Sequence, residues 1–246
     1  MAAAVAAQDA AAPLPAVLRL LRRAVGADPL TGDALEHYVD AVGQREVGRR
    51  LAVLRRRSGP TPPWHVVHDL DLGDQPVDHV LVGPGGVCAV TTLHLPGSRV
   101  RAVRSGLLVD GQRAEHLQRA QQRARALQQL LARATGADVP VRAVVAVLGA
   151  ERLALPLRTG DVAVLRAPVL VRWLRRQPHV LDATTAARLA AAVRDLDPGD
   201  GGAETAAFSV LHERVRAADR LRRAWFVAVA VAGSTGVTTL LAAVSP

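Results

Sequence analysis

The four residues Gly83-Pro84-Gly85-Gly86 separate two short apolar runs, Val77–Val82 and Val87–Leu93. Both runs are rich in β-branched residues and read as strands. A connection that short joins its neighbours only as an antiparallel hairpin, because a parallel pair needs a crossover of a dozen residues or more. Further on, Val141–Leu148 is a nearly continuous apolar run, the pattern of a strand covered on both faces. A hairpin and a doubly covered strand in one chain call for helices on each side of a sheet. The prediction is therefore an α/β sandwich around a mixed sheet.

The flanking segments supply those helices. Asp33 can cap a helix running to about Arg57, with Leu35, Val39, Val42, Val47, Leu51 and Leu54 on its apolar face. Ser58-Gly59-Pro60-Thr61-Pro62-Pro63 ends it, and Trp64–Leu70 reads as a strand. Arg99–Val103 and Leu107–Val109 are shorter strands, the second closed by Asp110-Gly111. Ala114–Thr135 is a helix stopped by Gly136. Val162–Leu165 is a strand, and Val169–Arg176 and Thr184–Leu196 are helices. The chain divides into an Ala-rich leader with a short helix (1–32), a folded domain (33–196), a linker with a basic helical segment (197–223) and a terminal uncharged run (224–244).

Aromatic residues make up only 2% of the 246, so the core has to be built from Ala, Val and Leu. Cys88 is the single cysteine, which excludes a disulfide framework and a Cys-rich zinc site. His65, His68, His79 and His94 are spread over three strands and form no known ligand spacing. No Ser-His-Asp arrangement, phosphate-binding loop or dinucleotide fingerprint stands out. The net charge is +9, and all 31 basic residues are Arg. That balance suits a polyanionic partner, nucleic acid or anionic lipid, and equally a surface solvated by Arg in place of Lys.

From Ala224 to Pro246 no residue is charged. As a helix this run is about 30 Å long, enough for a bilayer core. Trp225 and Phe226 open it, and Arg214, Arg216, Arg220, Arg222 and Arg223 precede it. Positive flanks stay on the cytoplasmic side. The expectation is a single-pass membrane protein with its N-terminal domain cytoplasmic. Ala224, Ala228, Ala232 and Gly236 recur every four residues, a stripe suited to helix self-association.

The stretch Val77-Asp78-His79-Val80-Leu81-Val82-Gly83-Pro84-Gly85-Gly86-Val87-Cys88-Ala89-Val90 resembles the nuclease-related domain (NERD) family. The resemblance runs from about Gly43 to Arg194. It implies a restriction-endonuclease-like fold, and a site in which carboxylates hold a divalent cation while a Lys assists the chemistry. Carried over residue by residue, Asp78 matches the first acidic position of the family. Gln44, after Gly43, stands where the family has Glu; Thr91 stands at the second acidic position; Leu93 stands at the Lys. Glu46, two residues from Gln44, projects some 200° away from it on a helix. The resemblance thus implies a degenerate site that needs no cofactor. The alternative is an active nuclease that uses Mg²⁺, with Asp78 and displaced acids. Arg99, Arg101, Arg104, Arg113, Arg119 and Arg123 are the candidates for tracking a nucleic-acid backbone.

Overall fold

Alternation along the central strands dictates the layers. The computed structural model describes residues 33–55, 63–73, 76–103, 106–154, 161–196 and 208–225. The leader, residues 197–207, residues 226–246 and Arg104 lie outside the described residues. The chain forms two compact units, one of residues 39–199 and one of residues 1–38 with 200–246.

In the larger unit, which holds α1 (Asp33–Leu51) from Val39 onward, that helix passes into a short 3-10 turn (Ala52–Arg55). Strands β1 (His65–Leu70), β2 (Val77–Gly83) and β3 (Gly86–His94) follow, then β4 (Arg99–Val103), β5 (Gly106–Val109) and β6 (Gln112–Ala114). Next come α2 (His116–Thr135), β7 (Val141–Leu148), β8 (Arg152–Ala154) and β9 (Ala163–Arg166). A 3-10 turn (Ala167–Val169), α3 (Leu170–Arg175) and α4 (Ala183–Asp195) complete it.

The main sheet has the order β1-β2-β3-β7-β9. β1, β2 and β3 are antiparallel, while β3, β7 and β9 are parallel. The expected mixed sheet is therefore present, with the hairpin closing at Gly83↔Gly86. On one face Val80, Val82, Ala89, Val145 and Val147 pack against Leu127 and Leu131 of α2 and Leu189 and Val193 of α4. On the other, Leu81, Cys88, Val90, Val144 and Ala146 pack against Val47 and Leu51 of α1 and Leu170 and Leu174 of α3. Successive residues of each strand point to opposite faces, so one apolar run serves both layers. Removing a fully buried Leu from such a layer costs about 2–5 kcal/mol.

Val47, Leu51 and Leu54 of the predicted face are buried, and the departure is confined to the start of α1. Tyr38 and Ala41 are buried, whereas Leu35 is exposed. The helix also ends earlier than Arg57, tightening at Ala52. Gly136 stops α2 as expected, with φ 69°, and its N–H bonds back to the Ala132 carbonyl. Asp182 caps α4, accepting from the Thr185 N–H and hydroxyl.

A second sheet, order β6-β5-β4-β8, continues the first. The parallel pair β3–β7 passes into the parallel pair β4–β8 through bends at Gly97 and Gly149, both at positive φ. Backbone bonds carry across the bend: Leu95 N–H to the Leu148 carbonyl, Gly97 N–H to Gly149, Glu151 N–H to Ser98.

In the smaller unit a helix, α5, spans residues 208–225. Phe208 is fully buried, its ring 5.8 Å from Tyr38. Tyr38 Oη lies 2.8 Å from His212 Nδ1. Among the described residues no helix is long and apolar enough to cross a membrane. The expected span from residue 226 onward, with Ala228, Ala232 and Gly236 within it, falls outside them.

Candidate functional site

The open end of the β2–β3 hairpin collects polar residues that the strand interiors exclude. His79 pairs with Val90, so one further step in that register sets Asp78 opposite Thr91. Asp78, His79, Thr91 and Thr92 are all buried. A buried carboxylate needs hydrogen-bond donors, and two are supplied. Gln44 Nε2 of α1 donates to Asp78 Oδ1 at 3.0 Å. The backbone N–H of Thr92 donates to Oδ2 at 2.6 Å.

Gln44 reaches Asp78 because α1 runs very close to β3. A Cβ on Gly43 would stand 2.6 Å from the Cβ of His94 and 3.3 Å from Thr92 Cγ2. Only glycine allows that approach. His94 secures it from the other side, its Nδ1–H donating to the Val39 carbonyl at 2.8 Å. The opposite wall comes from α2, where an Arg123 N–H lies 3.5 Å from Thr91 Oγ1.

Burial pushes the Asp78 carboxyl up to about 6, and the nearby charges of Asp69 and Asp40 add to the rise. The Thr92 N–H and the Arg123 charge oppose it. Asp69 occupies the β1 position facing Asp78 in the β1–β2 register, with a left-handed backbone at φ 52°. His116, at the start of α2, is pushed below its usual range by burial and by Arg119, with Asp40 acting against them.

The structure thus brings together Gln44, Asp78, Thr91 and Arg123. Leu93 is buried in the apolar layer under α2. Glu46 does not join the site; it ion-pairs with Arg49 and Arg50 on its own helix. Arg99, Arg101 and Arg113 lie exposed on the second sheet. Arg99 ion-pairs with Glu151 at 3.8 Å, and Arg119 with Glu115 at 3.5 Å. The sequence reading missed Asp40, although it precedes Gln44 by four residues and so shares its helix face. It also missed the Thr92 N–H, a backbone donor that no side-chain motif announces.

This donor set does not fit a hard divalent cation. Such an ion takes about six oxygens, with carboxylates among them. Among the described residues no three His, Cys, Asp or Glu side chains converge on one point. The Asp78 oxygens are engaged by two N–H donors, and the nearest charged neighbour with an assigned contact is a guanidinium on Thr91. What the arrangement can do is hold a buried acid with a proton affinity near neutrality.

No curated protein matches the chain, and no solved structure does. Residues 40–148, which run from Asp40 through the hairpin and α2 to the end of β7, match the family model described as nuclease-related domain, NERD.

Proposed function

We propose that this chain carries a nuclease-related domain that has given up metal-dependent hydrolysis and serves as a binding or scaffolding module on the cytoplasmic face of a membrane. The observation that carries the first half is the bond from Gln44 Nε2 to Asp78 Oδ1. A carboxylate at residue 44 would share a metal with Asp78. An amide there instead saturates it. Thr91 and Leu93, where the resemblance implies a carboxylate and a Lys, support the same reading. So does the lack of any Lys, because Arg is an almost permanent cation and transfers protons poorly. The mixed sheet between helix layers supports a restriction-endonuclease-like fold. The membrane half rests on the uncharged run from Ala224 and the Arg residues before it. Nucleic acid is the candidate partner of the domain, through Arg119 and Arg123 on α2.

A nuclease assay tests the first half. Full-length protein in detergent is incubated with plasmid DNA or RNA and Mg²⁺ or Mn²⁺. The expected result is no cleavage above buffer, and no difference in Asp78→Ala. Cleavage that Asp78→Ala abolishes would install the second reading, an active Mg²⁺-dependent nuclease. The charge of Asp40 near Asp78 makes Asp40 the displaced acid that this reading would use. Recovery of all the protein in the soluble fraction without detergent would overturn the membrane half.

A further inference from the structure

Helix α5 has two apolar faces, and among the described residues only one of them is buried. At 100° per residue, Phe208, Leu211 and Val215 share one side, and Phe208 and Leu211 are buried. Val210, Ala217, Leu221 and Ala224 form a second stripe on the opposite side. Val210 is 54% exposed and Leu221 37%. A helix that only packed against its own unit would carry polar residues there.

The borders of the outer stripe are mostly basic, with Glu213 at one edge. Arg214 lies on one side of it, and Arg216, Arg220 and Arg223 on the other, all exposed. The helix has five Arg against two acids, Glu213 and Asp219. Asp219 is already committed, ion-paired with Arg222 and Arg223. Trp225 is half exposed at the end of the helix. From there the chain continues with no charged residue to Pro246.

We infer that α5 lies in the plane of an anionic bilayer surface, its Val210–Leu221 stripe set among the acyl chains and its Arg residues among acidic headgroups. Apolar area on one side and basic charge at its borders are what an interfacial helix requires. Arg side chains can lay their stems on the apolar layer while the guanidinium stays with phosphate or carboxylate. Charge complementarity selects an acidic lipid surface over a neutral one. The inference rests on the membrane half of the proposed function, and it adds an orientation and a lipid class.

Depth separates the two ideas. Val210 and Trp225 are about 22 Å apart along the helix axis. If α5 simply ran into a span, Val210 would stand in water well above the surface. If α5 lies flat, both residues sit at one depth. The test is full-length Val210→Cys labelled with an environment-sensitive fluorophore and mixed with vesicles of phosphatidylcholine alone or with phosphatidylserine. Cys88 does not compete for label, because it is buried and its thiol is pushed up to about 12. The expected result is a blue-shifted, brighter label with phosphatidylserine only, reversed by salt. Replacing Arg214, Arg216, Arg220 and Arg223 with Gln should weaken that response by at least about tenfold.

A label that stays water-like while the protein floats with either vesicle would overturn the flat helix and leave the tether standing. An equal response with neutral lipid would overturn the acidic-lipid assignment. Binding to acidic vesicles that salt fully releases would uphold α5 and sink the tether. No flotation with either vesicle would sink both.

Discussion

Asp78 and His79 are neighbours in β2, both buried, and they serve two different polar clusters. Asp78 joins α1 to β3 through Gln44 and the Thr92 N–H. His79 meets His68 of β1, Nδ1 to Nδ1 at 2.9 Å, with the rings edge to face. One of those nitrogens has to carry the proton and the other has to lack it. Burial acts on both residues and favours the neutral form of each. It pushes Asp78 up to about 6. It pushes His79 down to about 3, with His68 adding to the fall. The pairing teaches that the same desolvation gives opposite pH responses in adjacent residues, depending on which form is neutral.

The largest expected effect comes from making the Asp78 cluster ionic. Gln44→Glu sets a second carboxylate about a hydrogen bond's length from the first. We expect a loss of about 3 kcal/mol at pH 7 by thermal or urea unfolding, part of it restored by Mg²⁺. The parent protein should show no such Mg²⁺ response. A parent stabilised by Mg²⁺ would mean that the Asp78 cluster already holds a cation.

The next effect separates the two clusters by pH. A depressed His79 contributes stability that is present above its unfolded value of 6.5 and is lost as pH falls toward 3. A raised Asp78 contributes stability that is present below 3.8 and is lost as pH rises through about 6. Between pH 7 and 5 the His79 contribution falls while that of Asp78 grows, and the two changes are of similar order. The parent should therefore change little on this account. Asp78→Asn should uncover the full acid destabilisation. His79→Gln should reverse the sign, making the protein more stable at pH 5 than at pH 7. Parallel pH profiles for the parent and both variants would refute the opposed shifts.

The smallest effects contrast the two glycines of α1. Gly43 borders Thr92 and His94, with a Cβ distance of 2.6 Å. Gly43→Ala should destabilise by about 1–2 kcal/mol, because α1 has to move off β3. Gly48 faces His68 and His79, and a Cβ there would meet ring atoms at 3.5 Å, an ordinary contact. Gly48→Ala should stabilise by about 0.5–1 kcal/mol through helix propensity. Chemical denaturation of both variants checks the pair. Equal losses would mean that α1 is no closer to the sheet at Gly43 than at Gly48.

The main sheet was legible because its signals are local. The glycine turn dictates the hairpin, and the apolar run Val141–Leu148 dictates a covered strand. β8 was not legible. Arg152-Leu153-Ala154 has no strand pattern of its own and exists through its register with Arg99, Val100 and Arg101. β6 has a local signal in Asp110-Gly111, which closes β5. Asp110 and Gly111 both have positive φ, and Val109 pairs with Gln112 across them, the two-residue hairpin that Asp-Gly favours. In the candidate site, Gln44, Asp78 and Thr91 were found by position in the family pattern. Their partners were not, since Arg123 and the Thr92 N–H reach them only after α2 and β3 have packed.

The bends at Gly97 and Gly149 bear on how this domain can be rebuilt or divided. The second sheet is not a graft that can be lifted out. Two of its strands, β4 and β8, follow directly on β3 and β7, and β3 carries Thr91 and Thr92. A cut between Pro96 and Ser98 would loosen the two bonds made there, from the Gly97 N–H to the Gly149 carbonyl and from the Glu151 N–H to the Ser98 carbonyl. Loop exchange at this corner would fray the candidate site from behind. Insertions are better placed at Asp110-Gly111, where the chain turns at the far edge of the second sheet.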